Sequence, residues 1–189
     1  MNLALLDHRE RPIPLLDRKR KVRNSGIPGI AEGGARMHPY EVGHPFANEP
    51  LVNIQTAPYN VAGDDYYFRT FDTIYGGRIP GSRPELLMRS GVAERLVVIN
   101  EQLQRDGLEI YVHNAWRSLE VAQNARGMFE SRVRKNYKDW NDEQVLELVN
   151  LFWAVAPASY ADINPYSPPP HMTGAVADLT LRVISTKQL

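Results

Sequence analysis

Leu108-Glu109-Ile110-Tyr111-Val112-His113-Asn114-Ala115-Trp116-Arg117-Ser118 decides the fold. Leu108 to Val112 reads as a short apolar strand. Ser118 is a good cap for a helix running to about Lys135. A strand therefore hands over to a helix across Asn114 to Arg117. Upstream, Pro84 stands where a helix can start, and Leu86, Leu87, Leu96 and Val97 predict a helix or two through Arg105, ended by Asp106-Gly107. Further upstream, Tyr66, Phe68 and Thr70 alternate with Tyr67, Arg69 and Phe71, which predicts a strand. Tyr75-Gly76-Gly77 and Ile79-Pro80-Gly81-Ser82 predict turns. Downstream, Val145, Leu148, Val149, Phe152 and Val155 have helical spacing, in a helix that starts near Asn141 and ends before Pro157. Pro165, Pro168, Pro169 and Pro170 form a stiff loop, and Ala175 to Val183 closes as a strand. The fold class expected is α+β, a small antiparallel sheet with flanking helices.

Residues 1–50 read differently from 51–189. They hold the basic run Arg18-Lys19-Arg20-Lys21, a Gly/Pro-rich stretch from Gly26 to Gly34, and no sustained period of 2 or 3.6. An extended or flexible arm is expected there. The basic run is read as a solvated charge cluster, with an acidic partner as the alternative.

The 189 residues suffice for one domain with a substantial core. Lys plus Arg equals Asp plus Glu at 22 each, so no electrostatic footprint for nucleic acid or an anionic membrane stands out. No apolar run approaches the roughly 20 residues of a membrane span, and Leu3 to Leu6 is too short and too soon followed by charges for a signal peptide. A cytoplasmic location is the expectation. Cysteine is absent, so a transition metal would have to use His nitrogen and carboxylate oxygen, a donor set that suits zinc.

Two segments carry candidate chemistry. His171-Met172-Thr173-Gly174-Ala175-Val176-Ala177-Asp178 holds a His and an Asp seven apart. A continuous strand puts them on opposite faces, but Gly174 lets the chain turn between them. Arg117, between strand and helix, can aim a planar fork at a carboxylate or a developing oxyanion. A salt bridge at the helix start is the plainer reading of the same Arg.

Taken in order, Tyr75-Gly76-Gly77-Arg78-Ile79-Pro80-Gly81, Ala115-Trp116-Arg117-Ser118 and His171 to Leu181 resemble the zinc D-alanyl-D-alanine dipeptidases of the vancomycin-resistance type. These lie within the wider D-Ala-D-Ala carboxypeptidase family, and the resemblance spans about residues 57 to 183. It implies the Hedgehog/D-Ala-D-Ala peptidase type of fold and zinc-dependent hydrolysis of small D-amino-acid dipeptides in peptidoglycan metabolism. It further implies that His171 and Asp178 bind the metal, that a second His completes the set, and that a Glu takes the proton from water. Arg117 matches the Arg that stabilises the oxyanion, and Tyr59 corresponds loosely to a pocket tyrosine.

The chain departs from the family pattern in three places. Asn114 stands where the family often has Asp, and Pro169 and Pro170 replace small polar residues before the His. The family's Glu-x-x-His lies well downstream of the Asp, whereas no His, Cys, Asp or Glu follows Asp178 here. Three readings compete: a fragment of a longer enzyme, a non-catalytic relative that binds peptides or partners, or a third ligand from Glu41-Val42-Gly43-His44. That last segment has the right spacing, but Gly43 and Pro45 argue against regular strand pairing. His113 is expected to pack or hydrogen-bond locally. An incomplete core predicts an oligomer or a partner chain covering the open edge.

Overall fold

The computed structural model describes residues 48–70, 73–166 and 168–186. The arm, its basic run, His8, His38 and the Glu41 to His44 segment lie outside the described residues. In chain order the elements are β1 (Leu51–Asn53), β2 (Ala62–Gly63), β3 (Leu87–Arg89), α1 (Ser90–Arg105), β4 (Leu108–Asn114), α2 (Leu119–Asn136), α3 (Asp142–Phe152) and β5 (Asp178–Val183). Short 3-10 turns occupy Tyr160–Asp162 and Pro170–Thr173. The content is mixed, as the α+β reading expects.

β4 is the axis of a three-stranded sheet in the order β2-β4-β5. It runs antiparallel to β5, with Ile110 opposite Leu181 and Asn114 opposite Asp178. It runs parallel to β2, so the sheet is not purely antiparallel. β1 and β3 form a separate antiparallel pair, with Leu51 opposite Arg89. Ile110 and Val112 are buried on one face, where Leu86, Met88, Ala93 and Leu96 meet them in a core beneath α1. Asn100 of α1 is buried in that layer, and its Oδ1 accepts the Ile110 N–H at 2.7 Å. That bond satisfies a buried polar pair and ties helix to strand.

A second core lies between α2 and α3. Val121, Ala125, Phe129 and Val133 recur every four residues along α2, the spacing that keeps one face inward. Val145, Leu148 and Val149 of α3 pack against them, joined by Tyr67, Tyr75 and Ile79. Ser118 caps α2 by accepting the Val121 N–H, and Asn141 and Gln144 form a capping box at α3. Both helices start where the sequence places them. α1 ends at Arg105 with Asp106 as its cap, followed by Gly107 in the left-handed region at φ 76°, which glycine adopts at no steric cost.

Three expected elements change. Residues 66–68 form a turn rather than a strand, because the Asp65 carboxylate accepts the N–H groups of Tyr67 and Phe68 at 2.8 and 3.2 Å. A side chain that captures backbone donors in this way competes with a sheet ladder. Leu87 lies in β3 rather than in a helix from Pro84, since Leu87 to Arg89 find partners in β1. Val155 falls beyond α3, because Trp153 leaves the helical region at φ −130°, ψ 120°.

Candidate functional site

The segment 114–118 runs between the two cores. Ala115 is fully buried beneath α1, and Leu119 opens α2. Three hydrogen bonds join this segment to the turn at 171–172, more than fifty residues away. The Arg117 N–H donates to the His171 carbonyl at 3.2 Å. The Trp116 indole donates to the Met172 carbonyl at 3.2 Å. His171 Nδ1 lies 2.9 Å from the Ala115 carbonyl oxygen. A carbonyl only accepts, so Nδ1 carries the proton and Nε2 presents its lone pair.

Nε2 of His171 stands 3.6 Å from Oδ1 of Asp178. Two donors each about 2.0 to 2.1 Å from a tetrahedral zinc lie roughly 3.3 Å apart, so this separation suits two neighbouring ligands of one ion. The Nδ1–H to carbonyl bond is also the orientation commonly seen behind metal-binding histidines. Gly174 makes the approach possible. It sits at φ 72° just after the 3-10 turn, so the chain reverses between His171 and the start of β5. Burial, then the charge of Arg117, lowers the pKa of His171 against the opposing pull of Ala115 and Asp178. A neutral imidazole at pH 7 follows, the form that binds metal. Among the described residues no third His, Cys, Asp or Glu joins the pair.

Arg117 lies in the same groove. Its Nη1 donates to the Tyr67 hydroxyl at 3.0 Å. Its guanidinium carbon is 4.9 Å from the Tyr67 ring centre and 5.3 Å from that of Trp153, so two aromatic faces hold it. It makes no ion pair among the described residues, and its buried Nε has no hydrogen-bond partner. An Arg held in place by neutral groups keeps its charge available to a ligand.

The support behind Arg117 differs from the expectation at Asn114. Asn114 is buried, and its Nδ2 donates to Asp65 Oδ2 at 3.0 Å. A carboxylate is therefore present beside that position, supplied by Asp65. Burial pushes the Asp65 pKa up, against hydrogen bonds from Tyr67, Asn114 and Phe68 and the charge of Arg117. Sequence reasoning missed Asp65, Tyr67, Tyr75 and Trp153. The signal for Asp65 was an Asp just before a turn, where Asx geometry is common. Tyr75 stood only as the head of a turn motif, and Tyr67 and Trp153 carried no local signal because they meet Arg117 only in the fold.

The pair of β4 and β5 slips between Val112 and Asn114, leaving His113 as the extra residue. Its ring packs edge-on to Tyr111 at 5.2 Å, and it does not line the groove. Tyr59 packs against the core beneath α1 and does not line the groove either. The structure thus brings together Arg117, His171 and Asp178, and leaves Tyr59 apart. The groove encloses about 650 Å³ between that trio and a wall formed by the end of α3 and the chain beyond it. In comparisons with known proteins, no family model matches the chain and no curated protein matches it.

Proposed function

We propose that this groove is the active site of a zinc peptidase of the Hedgehog/D-Ala-D-Ala peptidase type, acting on D-Ala-D-Ala dipeptides of peptidoglycan metabolism. The observation that carries the reading is the 3.6 Å separation of His171 Nε2 and Asp178 Oδ1, with Nδ1 anchored and Arg117 in the same groove. His171 and Asp178 would hold the ion. A bound zinc supplies a Lewis acid and lowers the pKa of a water molecule. The chain's own residues orient the ligand and the oxyanion donor. The Ala115 carbonyl fixes the tautomer of His171. Tyr67 and Trp153 hold the guanidinium of Arg117 in the groove, where it would stabilise the negative charge that develops on a carbonyl oxygen during attack. A donor from residues outside the described set, from further chain or from a second molecule would complete the ligand set.

A second reading rests on a specific observation: among the described residues only two candidate ligands converge. A non-catalytic relative that binds the same peptides fits that count. Zinc content and D-Ala-D-Ala turnover of the purified chain, beside His171→Ala, separate the two. Stoichiometric zinc with turnover, both lost in the variant, supports the peptidase. Neither zinc nor turnover in the unaltered chain leaves the binder.

A further inference from the structure

The groove is two-sided. Arg117, His171 and Asp178 form its polar side, and Ile74, Phe152 and Val155 form an apolar wall exposed to water, with Val155 at 74% exposure. Exposed apolar residues scattered singly are ordinary, but a cluster lining a groove beside convergent polar groups marks a binding surface. The wall is built in advance. The Arg126 guanidinium donates to the Trp153 carbonyl at 2.8 Å. The Gln123 amide donates to the carbonyls of Pro157 and Ala158 at 2.7 and 3.1 Å. α2 therefore holds both ends of the segment that carries Val155. A groove of about 650 Å³ falls in the range of pockets that enclose drug-sized ligands. A free dipeptide of two alanines offers only two methyl groups and leaves most of the wall in water.

We propose that the wall at the end of α3 is a subsite for a large apolar side chain, so that the ligand is a peptide longer than two residues. This rests on the peptide-site reading given above. Charge complementarity fixes the kind of occupant. Among the described residues the Arg117 side chain hydrogen-bonds only to a neutral hydroxyl, and it faces the same space as the wall. A peptide supplies both halves of the match: a carbonyl or carboxylate oxygen for Arg117 and an apolar side chain for Phe152 and Val155. Binding energy collected at such a distance from the scissile bond can be used to orient that bond.

Calorimetric titration of the full chain tests this, with metal removed by a chelator so that turnover does not interfere. The probes are acetyl-Phe-D-Ala-D-Ala, acetyl-Gly-D-Ala-D-Ala and D-Ala-D-Ala. Burial of one large apolar side chain predicts that the Phe peptide binds roughly ten- to a hundredfold tighter than the Gly peptide. Val155→Ser and Ile74→Ser, at exposed positions that leave the cores intact, should shrink that ratio. Equal affinity for the Phe and Gly peptides, or no binding of either, overturns the subsite. Turnover of all three by the unaltered chain is recorded alongside. Preferential binding of the Phe peptide without any hydrolysis keeps the subsite and removes the peptidase. Hydrolysis of all three with equal kcat/KM keeps the peptidase and removes the subsite.

Discussion

Asp65 joins the local turn to the site. Its carboxylate accepts the N–H groups of Tyr67 and Phe68 and the amide of Asn114, and the bonds to Tyr67 and Asn114 are buried. Asp65→Ala leaves those donors without partners, at about 1 to 3 kcal/mol of stability. Tyr67 then loses one of its backbone hydrogen bonds, and its hold on Arg117 loosens. Chemical denaturation should show a lower midpoint with an unchanged slope, and any peptide affinity should fall with it. Asp65→Asn, which keeps a hydrogen-bond acceptor, should recover part of the loss. His171 gives a prediction in pH. Burial, then Arg117, sets its folded pKa below the unfolded value, so the unfolded chain takes the proton first. Its contribution to stability is full above the ordinary histidine value of about 6.5 and is lost as pH falls through that value toward the lowered one. His113 is shifted the same way, mainly by burial. The part owed to His171 is therefore the difference between the chain and His171→Gln, whose denaturation midpoint should vary less between about pH 7.5 and about pH 5. A difference that stays constant over that range would refute the assignment. His171 and Asp178 could be singled out at this scale because the motif that resembles the peptidase family lies within one short stretch of chain. Asp65 and Tyr67 could not, because their roles depend on Asn114 and Arg117, some fifty residues away.

Among the elements, the caps were the most readable feature. Ser118 and Asn141 announce α2 and α3 because an N-cap works through bonds only three residues long. Ser118→Ala should cost about 1 kcal/mol. It should also loosen the adjoining Arg117, seen as weaker peptide binding at a temperature where the variant is still folded. Leu86 and Leu87 misled for the opposite reason. Their spacing suits the start of a helix, but β1 offers backbone partners to Leu87, Met88 and Arg89. Arg89 is further held by the Gly174 carbonyl at 2.9 Å through its N–H and by the Thr173 carbonyl at 2.6 Å through Nε. Partners so distant in sequence override local propensity. The consequence reaches the site, since β3 thereby braces the turn that carries His171.

At the scale of the whole molecule, the two cores and the groove between them were not legible in advance, because no local pattern says which apolar faces will meet. The mixed helix and strand content was legible from the periods of α2, α3 and β4. One expectation of the sequence concerns the open side of the sheet. β5 pairs only with β4 among the described residues, and Leu179, Leu181 and Val183 stand exposed along it. α1 packs over Ile110 and Val112 and does not extend to those side chains as a buried layer. Unpaired backbone groups beside exposed branched side chains are a template for another strand. The purified chain should therefore self-associate as its concentration rises. Leu181→Lys places a charge in the middle of the edge and should hold the chain monomeric, with little cost to stability because the position is already exposed. Sedimentation velocity over a concentration series, with thermal unfolding of both proteins, makes the comparison. If the unaltered chain stays monomeric throughout, the edge is not adhesive and the expected oligomer is refuted. If it associates and Leu181→Lys associates equally, the contact lies elsewhere and β5 is cleared.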